Sequence, residues 1–259
     1  MAKYLKVLHA GRYTMAVAYS KQTPRDHKQA RAEKRKHSDE AQKRMNEKSS
    51  LLQLTAIIAE NFADSKTALF VSPTFDADHY PLFLKPSLYW DYCNQEAKKF
   101  MARLKTLANR RGDVLKYVYC PGIGEGGRWH FHALVDGVTR EDVRAAWGRG
   151  DADAHRLYKD HKWVTDREWS TKADNVNPVA IAKYMMRNAS VRLLGKHPWH
   201  YSRTCIKPKP EAAQIVRDGE PLPIPHGADI LTQERTDTIY SRFEFVEYIG
   251  PKPKRLQAS

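Results

Sequence analysis

The stretch that decides the fold is Arg128–Asp136, with the sequence RWHFHALVD. Its alternation predicts a β-strand, in which successive side chains point to opposite faces. One face would carry His130, His132 and Leu134, and the other a set of apolar residues suited to a core: Trp129, Phe131, Ala133 and Val135. Same-face neighbours lie about 6.5–7 Å apart along a strand, so two converging imidazoles can bind one metal ion at about 2.1 Å each. The alternative is a half-buried strand with two surface histidines.

The composition favours a polyanion as the partner. The 44 Lys and Arg residues against 30 Asp and Glu give a formal charge of +14, and residues 1–48 contribute +8 of it. Such an excess points to nucleic acid before membrane. Three cysteines without a C-x-x-C pair predict a reduced protein. No signal peptide or membrane-length apolar run is visible, so we expect a soluble, cytoplasmic protein.

Three parts are predicted along the chain: a basic arm over residues 1–48, a domain over residues 49–210, and a Pro-rich extension over residues 211–259. The arm suits a solvated helix or a disordered segment, and either could lie along phosphates. The alternative is a solubilising tail. The extension would hold a late strand at residues 238–249 and a basic tail. The basic residues of the arm that we expect to contact DNA are Lys34, Arg35, Lys36, Lys43 and Arg44.

Local signals place the elements of the domain. Ser49 and Ser50 offer a cap for an apolar helix that ends near Asn61. Strands are predicted at Thr67–Phe75 and Val114–Cys120, and the second would form an antiparallel hairpin with the histidine strand after a turn over residues 121–127. A further apolar stripe predicts a helix around residues 97–107. Two more helices have start signals, namely the capping box of Thr139 with Asp142, closed by Gly148, and the pair Asn177–Pro178.

Tyr184 lies in the middle of the last of these helices, and Arg187 follows three residues later. Residues three or four apart on a helix are neighbours. A phenol with a pKa of about 10 is a poor nucleophile at neutral pH, but a neighbouring guanidinium favours the phenolate and can also hold a phosphate. The alternative is an amphipathic helix whose tyrosine only packs in the core.

The order of these pieces resembles the HUH endonucleases, which carry a histidine-hydrophobic-histidine motif followed by a tyrosine and initiate rolling-circle replication. More specifically, it is similar to the replication-associated protein of filamentous phages and related plasmids. The resemblance covers roughly residues 43–210. It implies an α+β fold in which a central antiparallel sheet with flanking helices forms an RRM-like palm. Five segments carry it: Lys43–Phe62, Phe70–Phe75, Arg128–Asp136, Ala180–Asn188 and Trp199–Pro208.

The resemblance also implies an activity, which is the nicking and rejoining of single-stranded DNA at an origin. His130, His132 and Glu125 would hold Mg²⁺ or Mn²⁺. Tyr184 would form a 5′-phosphotyrosine, with Arg187 and Lys183 neutralising the developing charge. The implied partners are the single-stranded origin, a second subunit and host replication proteins, and no membrane.

Two departures from the family pattern matter. Arg187 stands where relatives usually have lysine, and Ala180 stands where two-tyrosine members have their other tyrosine, so a one-tyrosine enzyme is implied. A non-catalytic binder of single-stranded nucleic acid remains an alternative, as does an HUH transposase or relaxase. A histidine-triad hydrolase would need a third histidine where Leu134 stands.

Overall fold

The structure is a computed structural model that describes residues 3–20, 30–80, 86–123, 128–159, 162–163, 169–171, 175–187, 197–237 and 242–251. For residues 30–45 only the backbone is described. In chain order the elements are β1 Lys3–Ala10, β2 Tyr13–Ser20, α1 Ala30–Asn61, β3 Leu69–Pro73, α2 Pro86–Arg110, β4 Lys116–Ile123, β5 Trp129–Asp136, α3 Arg140–Trp147, β6 Ala152–Arg156, β7 Tyr158–Lys159, β8 Lys162–Trp163, α4 Pro178–Arg187, β9 His200–Tyr201, β10 Gln214–Val216, β11 Asp229–Asp237 and β12 Arg242–Ile249.

The chain divides into two compact units. The first contains Met1–Glu60, Thr171–Ala173 and Lys207–Ser259, and the second contains Asn61–Ser170 and Asp174–Ile206. Both ends of the chain therefore lie in the first unit.

The first unit contains a five-stranded antiparallel sheet in the order β10-β1-β2-β12-β11. Its strands come from residues 1–48 and 211–259, the segments predicted as an arm and an extension. One face carries a small core in which Ala16, Val246 and Tyr248 pack with apolar residues of the loop before β11. On the other face the Tyr13 hydroxyl donates a 2.5 Å hydrogen bond to the buried Glu247.

The second unit contains the sheet that carries the histidines, in the order β6-β3-β5-β4-β9, with all pairings antiparallel. Helices α2 and α3 pack on one face of it. Their apolar residues, among them Phe100, Leu104 and Trp147, form one buried cluster with Phe131 and its same-face neighbours on β5. The apolar face predicted for the histidine strand is therefore confirmed as core.

The cap signals in the second unit are confirmed by geometry. Thr139 and Asp142 form a reciprocal capping box, and Gly148 ends α3 in the left-handed conformation that glycine adopts without strain. Pro178 is the first residue of α4, and the Asn177 side chain accepts a 3.1 Å hydrogen bond from the Ala180 amide. These short-range signals fix where both helices begin.

Two local predictions are wrong. The helix expected to begin at Ser49 or Ser50 already includes Ala30, because residues 30–48 are rich in Ala, Lys, Arg and Glu, which are strong helix formers. The turn expected from Pro121 starts later, since β4 runs on to Ile123. Pro121 is tolerated because β9 pairs with β4 only at Val118 and Tyr119, which leaves an edge where no amide donor is needed.

The predicted α+β class is confirmed, since the described residues hold two five-stranded antiparallel sheets and four helices. No helix among them is long and apolar enough to cross a membrane. Cys93, Cys120 and Cys205 are all described, and each is buried with a free thiol.

Candidate active site

The histidine pair is presented by β5. Alternation along the strand sends Trp129 and Phe131 into the core and leaves His130 and His132 on the opposite face. His130 is half-buried, whereas His132 is only 7% exposed. The pair is therefore not on the open surface, which disfavours the interpretation as two solvated surface histidines.

The two imidazoles are close enough to share one ligand. Their ring centroids are 4.9 Å apart and the ring planes cross at 72°. An ion about 2.1 Å from one nitrogen of each ring would be about 3.2 Å from each centroid, so the two rings would subtend an angle of about 100° at it. That angle lies in the range that tetrahedral and octahedral ions accept.

A hydrogen bond orients the His132 ring. Its Nδ1 lies 3.0 Å from the Oγ of Ser72, which occupies the neighbouring strand β3. The Nδ1 of His130 lies 3.4 Å from the Arg128 carbonyl oxygen, a long contact. When Nδ1 carries the proton and donates it to such an acceptor, Nε2 keeps its lone pair for a metal. Ser72 was not singled out in the sequence, although it lies in the FVSPTF segment.

Both histidines are held in the neutral form that metal binding requires. Burial lowers the pKa of His132 to about 4, and the neighbouring His130 adds to the effect. Burial also lowers the pKa of His130, which the contact to the Arg128 carbonyl partly opposes. A ligand that is already deprotonated near neutral pH releases no proton when a metal binds.

The third metal ligand is not established. Glu125 lies outside the described residues, and within the described part of the chain no group of three His, Cys, Asp or Glu side chains is placed to hold a metal. The two described imidazoles fit a metal as donors, and the metal itself stays a prediction.

Tyr184 is brought to the histidines by α4, which lies over the histidine face of the sheet. Its ring centroid is 5.0 Å from that of His132, and its side chain remains 39% exposed. The rings of Phe70 and Trp169 also contact it, at centroid separations of 5.8 and 5.0 Å. Tyr184 is thus fixed by aromatic contacts on one side and open to solvent on the other, as a nucleophile must be.

The aromatic neighbours of Tyr184 were missed in the sequence. Phe70 lies two residues before Ser72 on β3, so both side chains share the histidine face. Trp169 lies far along the chain, in a polar stretch without a clear pattern, yet its ring centroid is 4.7 Å from that of Phe70. A strand register would have found Phe70, whereas no local signal indicated Trp169.

The predicted basic residues are placed less fully. Lys183 and Arg187 are exposed on α4, and Arg187 lies one turn beyond Tyr184. Their roles stay predictions, because no contact of either side chain with Tyr184 or the histidines is described. The predicted DNA contacts of the arm lie in α1, where only the backbone is described: Lys34, Arg35, Lys36, Lys43 and Arg44.

Comparison with known proteins adds one finding. No curated protein and no solved structure gives a significant match to the chain. A family model matches residues 68–190, the range that holds β3, the histidine strand, Trp169 and the tyrosine helix. Every described residue of the candidate site therefore lies within the match. The matched family is that of the replication-associated protein ORF2, which confirms the resemblance to this family of rolling-circle replication initiators.

Proposed function

We propose that this protein is a metal-dependent, single-tyrosine nickase that cuts and rejoins single-stranded DNA at a replication origin. The observation that carries the proposal is the 5.0 Å separation between the rings of Tyr184 and His132. It places the one candidate nucleophile beside the one candidate metal-binding pair. The family match to a replication-associated protein supports DNA replication as the setting.

In the first step Tyr184 replaces the 3′ oxygen at the scissile phosphate. The bond from the tyrosine oxygen to phosphorus forms, the bond from phosphorus to the 3′ oxygen breaks, and the phenolic proton is finally accounted for on the released 3′-hydroxyl. The free 3′-hydroxyl then serves as a primer. Attack of a later 3′-hydroxyl on the phosphotyrosine reverses the exchange, restores the phenol and closes the circle.

Protein side chains supply the positioning. Phe70 and Trp169 pack against the Tyr184 ring and restrict its rotamers, so little entropy is lost when it meets the phosphate. Arg187, helped by Lys183, would neutralise charge that develops on the phosphate oxygens. Both are exposed and can reach a bound strand.

His130, His132 and Glu125 would hold the metal ion. When bound, the ion polarises the scissile phosphate as a Lewis acid. Two imidazoles are softer donors than the carboxylate and water oxygens that Mg²⁺ prefers, so we expect Mn²⁺ to bind more tightly than Mg²⁺. The further partners proposed are a second subunit of the same chain and host replication proteins, in the cytoplasm.

The test is a covalent adduct on single-stranded oligonucleotides tiled across the replicon that encodes the chain. Because a 5′-phosphotyrosine retains the downstream fragment, a 3′-end label should move with the denatured protein, and a 5′-end label should give only a shorter free strand. Tyr184→Phe should abolish the adduct, whereas Tyr201→Phe, the matched control on β9, should retain it.

Three outcomes would each remove the proposal. They are the absence of any adduct with Mn²⁺ present, an adduct that persists in Tyr184→Phe, and an adduct that survives EDTA. Binding without an adduct would instead favour the non-catalytic single-strand binder.

A further inference from the structure

A row of aromatic side chains crosses the sheet of the first unit. The strand register places Tyr4 opposite Tyr19 and Tyr19 opposite Phe243, so the three share one face on three adjacent strands. The rings of Tyr4 and Tyr19 stack, with centroids 5.8 Å apart and planes 23° apart. Phe243 is in turn parallel to Phe245, at 6.4 Å and 8°. We call Tyr4, Tyr19 and Phe243 the aromatic row.

The aromatic row is not part of the small core on the opposite face. That core takes the alternate residues of the same strands, such as Ala16 on β2 and Val246 on β12. All three side chains of the row are half-buried, although large aromatic residues usually bury more of their surface. Ring area therefore remains available along the row.

Positive charge lies beside the row. The ammonium of Lys48 lies 5.1 Å from the centroid of the Phe245 ring and 5.9 Å from that of Phe243. It also forms a 2.8 Å ion pair with Glu234, which cancels one charge there. Lys6 is half-buried two residues beyond Tyr4 on the same face of β1.

Helix α1 brings further positive charge to this end of the sheet. Leu52 and Ile57 line a cavity of about 390 Å³ together with Leu8 and Met15, whereas Lys48 lies at Phe243. The helix therefore runs towards the aromatic row as its numbering decreases. Its backbone continues for about 27 Å from Lys48 back to Ala30. That segment contains the basic cluster Lys34, Arg35, Lys36, Lys43 and Arg44.

We propose that the aromatic row, with Lys6, Lys48 and the basic half of α1, is a binding surface for single-stranded DNA in the first unit. This surface lies outside residues 68–190 and is separate from the candidate active site. Unpaired bases can stack on aromatic rings whatever their sequence, and lysines beside the rings can follow the phosphates. Bases of a duplex are stacked on one another and cannot use such a row.

The role of this surface is to hold a strand independently of nicking. It would retain the single strand whether or not Tyr184 is bonded to DNA. The same protein could then keep hold of a displaced strand between the two cleavages of a rolling-circle cycle.

The test measures binding of a labelled 20-residue oligo(dT) by the full-length protein in EDTA, where a metal-dependent nickase is inactive. Tyr19→Leu and Phe243→Leu keep an apolar side chain but remove the ring, and each should weaken binding at least about fivefold, since one base–aromatic stack contributes 1–3 kcal/mol. Tyr19→Phe keeps the ring and is the matched control, with unchanged affinity expected. Circular dichroism and thermal unfolding identify any variant that fails to fold.

Salt dependence separates stacking from charge. The leucine variants should leave the slope of log affinity against log salt unchanged, because no charge is removed. The triple variant Lys34→Gln, Arg35→Gln, Lys36→Gln should reduce the slope by about 0.7 for each phosphate that the helix no longer neutralises. A slope that the triple variant does not change would remove α1 from the proposed surface.

Photocrosslinking of the unmutated protein to oligo(dT) that contains 5-iododeoxyuridine gives an answer that does not depend on variants. Crosslinks to peptides containing Tyr4, Tyr19 or Phe243 are expected. Crosslinks confined to residues 68–190, or folded leucine variants with unchanged affinity, would overturn the proposal. Failure of the nicking test would leave this result intact, because neither binding nor crosslinking requires an active nickase.

Discussion

Removing the Ser72 hydroxyl is the sharpest test of the candidate metal site. In Ser72→Ala the Nδ1 of His132 loses the acceptor that lies 3.0 Å away, and His132 is only 7% exposed, so water cannot freely replace it. Loss of a hydrogen bond behind a metal-binding histidine costs about 10- to 100-fold in metal affinity, or about 1.4–2.8 kcal/mol. The lost hydrogen bond should also lower the free energy of unfolding by about 1 kcal/mol.

The assay is a Mn²⁺ titration followed by electron paramagnetic resonance of the free ion, with nicking measured in parallel. We expect the Mn²⁺ needed for half-maximal nicking to rise with Kd, while the rate at saturating Mn²⁺ changes little, because Ser72 orients a ligand and does not touch DNA. Ser72→Thr keeps the hydroxyl on the same strand and should restore affinity. Thr74→Ala removes a hydroxyl that bonds the Asp151 carbonyl, and it should have little effect.

An unchanged Mn²⁺ affinity in folded Ser72→Ala would refute the argument that this hydroxyl fixes the metal-binding tautomer of His132. A lower maximal rate with unchanged affinity would also refute it. That result would assign Ser72 to the reaction instead of to the metal.

The other predictions concern the histidine, the buried pair of the first unit and the number of nucleophiles. His132→Ala should weaken Mn²⁺ binding at least about 100-fold and abolish nicking, whereas His155→Ala, an exposed histidine on the same sheet, should do neither; equal affinities would exclude the site. Tyr13→Phe should lower the free energy of unfolding by about 2–3 kcal/mol, because it strips the buried Glu247 carboxylate of its donor; an unchanged urea midpoint would contradict this. Excess Tyr184→Phe mixed with wild-type protein should reduce release of closed circles more than initial nicking, because a one-tyrosine subunit needs a second subunit for the second cleavage; equal loss of both would leave metal-activated water as the route.

The features of the site that the sequence predicted are those set by short-range periodicity and capping. Alternation along the histidine strand correctly divided Phe131 from His132, because a strand has a period of two wherever it lies. Asn177 and Pro178 correctly placed the start of α4, because capping involves only neighbouring backbone groups. The approach of Tyr184 to His132 was implied by the family resemblance alone, since 52 residues separate them and no local pattern sets that distance.

The features that the sequence did not predict depend on which strands pair and in what register. The ladder between β3 and β5 joins Val71 to Ala133, and one residue further along it places Ser72 opposite His132. A single slip in that register would send Ser72 into the core and put Val71 beside the histidine. The site therefore rests on a pairing between segments 60 residues apart, which burial of Val71 on the core face enforces. The same cause that hid Ser72 from the sequence makes it informative, because its hydroxyl reaches His132 only if the core, the register and the site agree.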